Sequence, residues 1–591
     1  MSKDMKLEDI ERPVSTGNAE LAWGSDAIAE VLRKCDVPYI AMVPGSSYRG
    51  LQDSLVNYLG NENPQMLVCL HEEHAVAIAH GYAKITGRAM AAGIHSNVGL
   101  MHASMAIYNA YCDRVPVLLL GATGPVDANR RRPWIDWIHT SRDQGALVRP
   151  YVKWDEQPAS PKAGVEATLR AWQLIHAHPQ APAYVSFDVS DQEARVDMKG
   201  LVPDDVSRFL TQPVARPTDE AIAEAVALLR SAKRPVILAG RSTRLVDDWN
   251  RRVRLAEFLG AQVITDMKMP SVFPTAHPLH VSNAAQFLSA DQKAAIAQAD
   301  LILNLDWMDL AGALNQSLPA EATAPKVISA TLDDYMVNGW NYDHYALPPV
   351  DVRLASTSDE AVRLLSIALG VSETDTPFTA KPRPATAQTG EVINQSILAS
   401  SLREALKDHQ PSYLRFPLGW PAEETPFDHP HSYLGADGGA GIGSGPGMAV
   451  GAALALRDSG RLPVAVLGDG DFAMGGTAIW TAARYRIPLL VIISNNQSYF
   501  NDEIHQETVA NIRERPVANR WIGQRLDDPA VNNPGFASSL GAQSADTVMN
   551  PADLPAALEK AIAAVAAGGV YVLDVRVQPG YVSAMPAVHK D

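Results

Sequence analysis

The sequence predicts an α/β protein made of three doubly wound parallel-sheet domains, and three observations carry that prediction. Short apolar runs of strand length alternate with helix-compatible stretches along most of the chain, the pattern of parallel sheets covered by helices. The 591 residues exceed what one hydrophobic core organises, and two Pro-rich polar segments divide them into comparable parts. The composition, 47% hydrophobic and 20% charged, is that of a globular protein with no fibrous or disordered signature.

The first part, 20–195, opens with a helical stretch from Asp26 to Arg33, a strand from Tyr39 to Val43 and the turn Pro44-Gly45-Ser46-Ser47. An apolar run, Met66 to Leu70, leads into the polar cluster His71-Glu72-Glu73-His74 and an alanine-rich helix, Ala75 to Thr86, stopped by Gly87. Further strands are predicted at Met90–Ile94, Pro116–Leu120 and Ala183–Phe187. A polar stretch from Asp188 to Thr218, with Pro203, Pro213 and Pro217, reads as a linker. The second part, 215–370, places strands at Pro235–Ala239, Gln262–Thr265, Leu301–Leu305 and Lys326–Ser329, with helices such as Asp219 to Arg230 and Arg251 to Leu259 between them. The segment Thr374 to Gly390 reads as an extended linker to the third part, 392–580.

Within that third part, Pro463 to Phe500 reads as strand, glycine-rich turn, helix, strand and polar turn. The two apolar runs, Pro463–Leu467 and Leu489–Ile493, flank a helix from about Thr477 to Ile487, a parallel βαβ unit whose strands end on one edge. Asp469 and Asn496, both hard oxygen donors, stand at those ends. A magnesium ion takes one or two such side chains with waters and substrate phosphates, and one turn carbonyl would complete the set. Gly468, Gly470, Gly475 and Gly476 let the backbone approach a phosphate, and the helix starting near Thr477 offers unpaired amides and a positive dipole end. The stretch therefore reads as a metal-diphosphate cradle.

The Gly-Asp-Gly of residues 468–470, followed at a set interval by Asn495-Asn496, resembles the signature of the thiamine-diphosphate-dependent decarboxylases and carboligases. The resemblance implies thiamine diphosphate and Mg2+ as cofactors, with Asp469, Asn496 and the Ser498 carbonyl as metal ligands. It also implies pyrimidine-binding, central and diphosphate-binding domains in that order. The run LHEEHAVAIAHGYAKITG resembles the family's glutamate helix and makes Glu72 the residue that hydrogen-bonds the aminopyrimidine. On the residues alone, Glu72 and Glu73 are also helix-start carboxylates favoured by the dipole. In Gly438 to Gly443, Ile442 matches the aliphatic that props the cofactor in its bent form, and the Ala440 carbonyl would accept from the aminopyrimidine. The same run also reads as a glycine-rich helix start.

Within the family the likeness is to the benzoylformate decarboxylase branch, carried by Pro44-Gly45-Ser46, Ile94-His95-Ser96, Arg149 to Ser160 and Phe273 to Pro278. It implies that Ser46 binds the substrate carboxylate and His95 relays protons, although Ser46 also suits a plain turn and His95 a strand end. That branch uses a second histidine from the central domain, and the comparable stretch here, Leu303 to Gly312, has none. Either Asp306 or Asp309 substitutes for it, or the final protonation differs from that branch. Asn501 to Gln506 is more polar than an apolar wall over a phenyl ring, and His505 within it reads as an exposed loop residue. The run Arg130-Arg131-Arg132 with Trp134 and Trp137 suggests either an anionic ligand or a solvated loop.

The expected reaction is nonoxidative decarboxylation of a 2-oxo acid, aroylformate-like, to an aldehyde and carbon dioxide. The alternative is an acetolactate-synthase-like carboligase, which the missing histidine and polar loop favour. Flavin-dependent oxidation calls for a central-domain GxGxxG fingerprint, and none stands there. The resemblance implies a homodimer or homotetramer with active sites at subunit interfaces. A formal charge of −16 argues against nucleic-acid binding, and no apolar run has the length of a membrane span. The charged N-terminus lacks a signal-peptide core, so a cytoplasmic location is expected, and Cys35, Cys69 and Cys112 are expected as reduced thiols.

Overall fold

Sixteen strands with predominantly apolar sequences form three parallel sheets. The computed structural model describes residues 6–14, 21–197, 199–212, 214–284, 286–319, 324–336, 346–375, 377–381 and 389–580. The first sheet holds β1 (Tyr39–Met42), β2 (Gln65–Val68), β3 (Met90–Ile94), β4 (Val117–Thr123), β5 (Trp154–Glu156) and β6 (Ala183–Asp188) in the order β2-β1-β3-β4-β6-β5. The second holds β7 (Pro235–Ala239), β8 (Gln262–Ile264), β9 (Leu301–Leu305), β10 (Lys326–Ala330) and β11 (Val352–Leu354) in the order β11-β10-β9-β7-β8. The third holds β12 (Pro411–Arg415), β13 (Leu462–Gly468), β14 (Leu489–Asn495), β15 (Gln543–Ser544) and β16 (Val570–Arg576) in the order β12-β13-β14-β16-β15. The three parallel-sheet α/β units match the predicted class.

Several local expectations are corrected. The helix after β2 starts at Glu72, three residues before the expected start, because the His71 side chain caps it by accepting from the Glu73 amide at 3.2 Å. The glycine-rich stretch after β13 is itself a helix, Asp469–Gly475, so the helical amides begin at Asp469 and not near Thr477; a second helix, Ala478–Tyr485, follows. The polar residues after the cradle form the helix Phe500–Ile512 and not a loop. The segment 188–218 is no free tether, since Leu201 and Val206 are buried in the core of the first domain. Within the second expected linker, residues 376 and 382–388 lie outside the described residues.

Two helices join the first and third domains. Glu72–Thr86 packs against Gly445–Leu456, and their side chains share one continuous apolar core. Glycine permits this approach: a Cβ on Gly81 would lie 2.0 Å from the Met448 carbonyl oxygen, and one on Gly451 would lie 1.9 Å from that of Ile78. Both neighbours are backbone atoms that cannot rotate away. Gly451→Ala is accordingly expected to destabilise the protein by about 3 kcal/mol, the upper range for overpacking, as measured by urea denaturation. Among the described residues no helix is long and apolar enough to cross a membrane.

Candidate active site

Because β13 and β14 are neighbours, with Gly468 opposite Ser494, the residues that follow them come together beyond the same sheet edge. Asp469 begins its helix there, and Asn496 and Ser498 follow the end of β14. The two asparagines part ways. Asn495 is buried and donates to Asp574 Oδ1 at 3.0 Å, whereas Asn496 lines a cavity of about 650 Å³ together with Asp469, Gly468, Gly470 and Ser498. Asn496 Oδ1 accepts the Ser498 amide at 2.9 Å, which shapes the turn. Burial pushes the Asp469 carboxyl up to about 6.

The opposite wall comes from 437–442. Ala440 has φ +54°, a conformation costly for a residue with a Cβ, and it lines the cavity with Ile442. Ile442 is 42% exposed, which for a large aliphatic marks a side chain directed at open space and not at the core. Below them Arg415 pairs with Asp437 and stands 3.6 Å from Asp471, whose Oδ1 accepts the Gly443 amide at 2.6 Å. Burial raises the Asp437 carboxyl to about 6 despite Arg415. Phe416, Trp420 and Tyr433 supply apolar lining, and Asn283 and Gln286 of the central domain add amides.

These residues fit a metal-bound diphosphate. Gly468 has nothing within 4 Å of where its Cβ would sit, so the backbone is open to the cavity. Ser494 Oγ, Asp437 Oδ2 and Asn501 Oδ1 are buried cavity-lining atoms with no hydrogen-bond partner among the described residues. An acid, an amide and unpaired polar atoms around an open backbone suit a hard cation and phosphate oxygens.

Ser46, Glu72 and His95 do not line that cavity. They sit at the carboxyl ends of β1, β2 and β3, where the order of the first sheet reverses direction. Glu72 is buried, and its Oε2 accepts from His102 Nδ1 at 3.0 Å. Gly99 leaves room for it, since a Cβ there would lie 3.1 Å from Glu72 Oε1. Glu73 instead turns to the third domain and accepts from the Ser444 hydroxyl at 2.6 Å. His95 stands at the N-cap position of the helix Ser96–Cys112 without a side-chain capping bond, and its Nδ1 lies 2.9 Å from Ser47 Oγ, the neighbour of Ser46. A Cβ on Gly45 would lie 2.5 Å from His95, which explains the glycine in that turn. The sequence reading missed His139, whose ring lies 4.8 Å from that of His95 at 77°. It also missed His102.

The two substitutes considered for the absent central-domain histidine are placed otherwise. Asp306 lies in a second cavity, where it accepts from Thr331 Oγ1 at 2.6 Å and pairs with Arg241. Asp309 caps the helix Leu310–Ser317 by accepting the Gly312 amide at 2.8 Å. His505 is exposed on its helix. In the arginine run, Arg132 is spent on Asp136 at 2.7 Å, and Arg131 donates to the Pro125 and Val126 carbonyls. Cys35, Cys69 and Cys112 are free thiols.

Three parallel-sheet domains, with a metal-diphosphate cradle on one and a buried glutamate at the edge of another, define a class of cofactor-binding α/β enzyme. The chain belongs to the thiamine pyrophosphate enzymes: the N-terminal TPP binding domain matches residues 22–147, the central domain 222–347 and the C-terminal TPP binding domain 418–575. Thiamine diphosphate is therefore its cofactor. Benzoylformate decarboxylase of Pseudomonas aeruginosa is 26% identical over 455 residues, covering 74% of this chain and 80% of the relative. A probable acetolactate synthase large subunit of Methanocaldococcus jannaschii is 23% identical over 96% of this chain and 93% of its own length. The solved structure of a 4-hydroxybenzoylformate decarboxylase from Rhodococcus jostii superposes with a TM-score of 0.74 at 22% identity, covering 95% of this chain and 99% of the other, a likeness of fold. Both decarboxylases and acetolactate synthases thus stand among its relatives.

Proposed function

We propose that the protein decarboxylates a 2-oxo acid without oxidation, releasing an aldehyde and carbon dioxide. The observation that supports this reading is that one chain carries both the Asp469–Asn496 cradle and, at the switch point of its first sheet, a carboxylate, Glu72, and an imidazole, His95. Asp469, Asn496 and the Ser498 carbonyl would hold Mg2+, and the open backbone at Gly468 would receive the diphosphate. Thiamine diphosphate, when bound, supplies the carbon that adds to the substrate carbonyl and the ring that accepts the electron pair left by carbon dioxide.

The chain's own residues then do the following. Ile442 and the Ala440 carbonyl orient the cofactor from one wall. Glu72 would hydrogen-bond the aminopyrimidine through its carboxyl group, which His102 keeps in place through Nδ1 at 3.0 Å. Ser46 binds the substrate carboxylate. His95 delivers the one proton that a 2-oxo acid anion consumes in becoming an aldehyde and carbon dioxide. Phe416 and Trp420 keep water out of the cavity. Since Glu72 and His95 do not line the cradle cavity of their own chain, the site is completed by a second copy, in a homodimer or homotetramer.

A second reading, carboligation to another carbonyl compound, is favoured by the amides of Asn283, Gln286 and Asn501 in the cavity lining. Incubating the protein with thiamine diphosphate, Mg2+ and a panel of 2-oxo acids separates the two. Stoichiometric aldehyde and carbon dioxide without an added acceptor are expected; turnover only when a second carbonyl compound is present would sink the decarboxylase reading.

A further inference from the structure

We propose that His139 is a positioning residue for His95, so that both imidazoles of the proton relay come from the first domain. The proposal rests on the decarboxylase reading above for what the relay does, and on geometry for its existence. His139 lies in the long connection after β4, and its ring meets the edge of His95 at a centroid distance of 4.8 Å. The other side of His95 is held by Ser47 Oγ at 2.9 Å, with the Tyr48 ring 6.3 Å away. His95 is thus clamped between the turn after β1 and the loop after β4, the two strands that flank its own strand, β3, in the sheet.

The loop is built to hold that position. Asn97, two residues beyond His95, donates to the Ile138 carbonyl at 3.2 Å, tying the loop to the helix that His95 precedes. The short helix Ile135–Ile138 is braced by Arg132, which donates to Asp136 through its side chain at 2.7 Å and through its amide at 2.6 Å. The arginine that sequence alone offered to an anion therefore serves the His139 loop. His139 Nδ1 is buried and has no hydrogen-bond partner among the described residues, so no bond of the surrounding fold claims that ring nitrogen.

Charge gives the arrangement its consequence. The titratable groups that face His95 are Glu72 from the end of β2, Tyr48 from the turn after β1 and His139 from the loop after β4. Burial, with His139 second, holds His95 below the usual histidine range, and Glu72 opposes them. Two imidazolium ions this close repel, so a proton on one disfavours a proton on the other. His95 then gives its proton to the carbon from which carbon dioxide has left, forming the new C–H bond. It regains a proton through His139, and solvent supplies the one proton consumed per turnover.

The test uses full-length protein. NMR titration of imidazole-labelled, cofactor-free wild type and His139→Asn is expected to move the His95 midpoint upward by about half a pH unit or more, because a repelling neighbour is removed. An unchanged midpoint would overturn the pairing whatever the reaction is. With thiamine diphosphate, Mg2+ and benzoylformate as the probe, kcat of His139→Asn should fall about tenfold at unchanged KM, and His95→Ala/His139→Asn should be no slower than His95→Ala. An equal further loss in the double variant would show that His139 acts apart from His95 and would overturn the relay. Full activity of His95→Ala would instead sink the decarboxylase assignment of His95 while leaving the titration result standing.

Discussion

Glu72→Gln is expected to lower turnover by about 10³-fold while leaving cofactor affinity within about threefold of wild type. The substitution keeps the shape of the side chain, and the amide oxygen can still accept the His102 Nδ1 hydrogen that Glu72 Oε2 accepts at 3.0 Å. What it removes is a group that can carry a proton next to the aminopyrimidine. Steady-state rates and cofactor titration by protein fluorescence measure the two effects separately. Glu73→Gln is the control, since Glu73 faces Ser444 in the third domain and its change should appear in thermal stability before it appears in rate. Wild-type turnover in Glu72→Gln would refute the assignment.

Asp469→Ala is expected to produce the second large effect, loss of Mg2+-dependent cofactor binding by about 10²-fold or more, because the proposed cation site would lose its carboxylate ligand. The fold should survive. Asp469 is buried, its carboxyl is raised to about 6 by that burial, and no ion pair holds it among the described residues. Removing it therefore leaves no orphaned partner charge. Calorimetric titration with thiamine diphosphate at several Mg2+ concentrations reads the loss, and circular dichroism checks the fold. Binding that keeps its wild-type dependence on Mg2+ would exclude Asp469 as a ligand.

The parts of the site that could be read from sequence are those set by local chemistry at a strand end. Asp469, Asn496, Glu72 and His95 each follow an apolar run by one or a few residues, and a parallel sheet sends all such positions to one edge. His139 and His102 were invisible for a different reason. His139 lies 44 residues from His95 in sequence, as 139 minus 95, across β4 and an irregular connection, and no periodic pattern announces that approach. His102 sits on a helix whose small residues, such as Gly99, have meaning only once Glu72 is in place against them. Element boundaries failed where side chains masked the backbone's preference. The cradle glycines hid the helix Asp469–Gly475, and an evenly polar surface hid Phe500–Ile512.

The glycine-mediated contact between the Glu72–Thr86 and Gly445–Leu456 helices bears on how the protein comes apart. Residues of the first and third sheets belong to one apolar cluster, whereas the central sheet has clusters of its own. Two regions separated by more than two hundred residues of chain should therefore melt together, and the intervening one should open independently. In native-state hydrogen exchange the amides of β3 and β13 would share a single opening free energy, with those of β9 exchanging at a different one. Glu72 and the cavity around Asp469 and Asn496 would then be lost in one event.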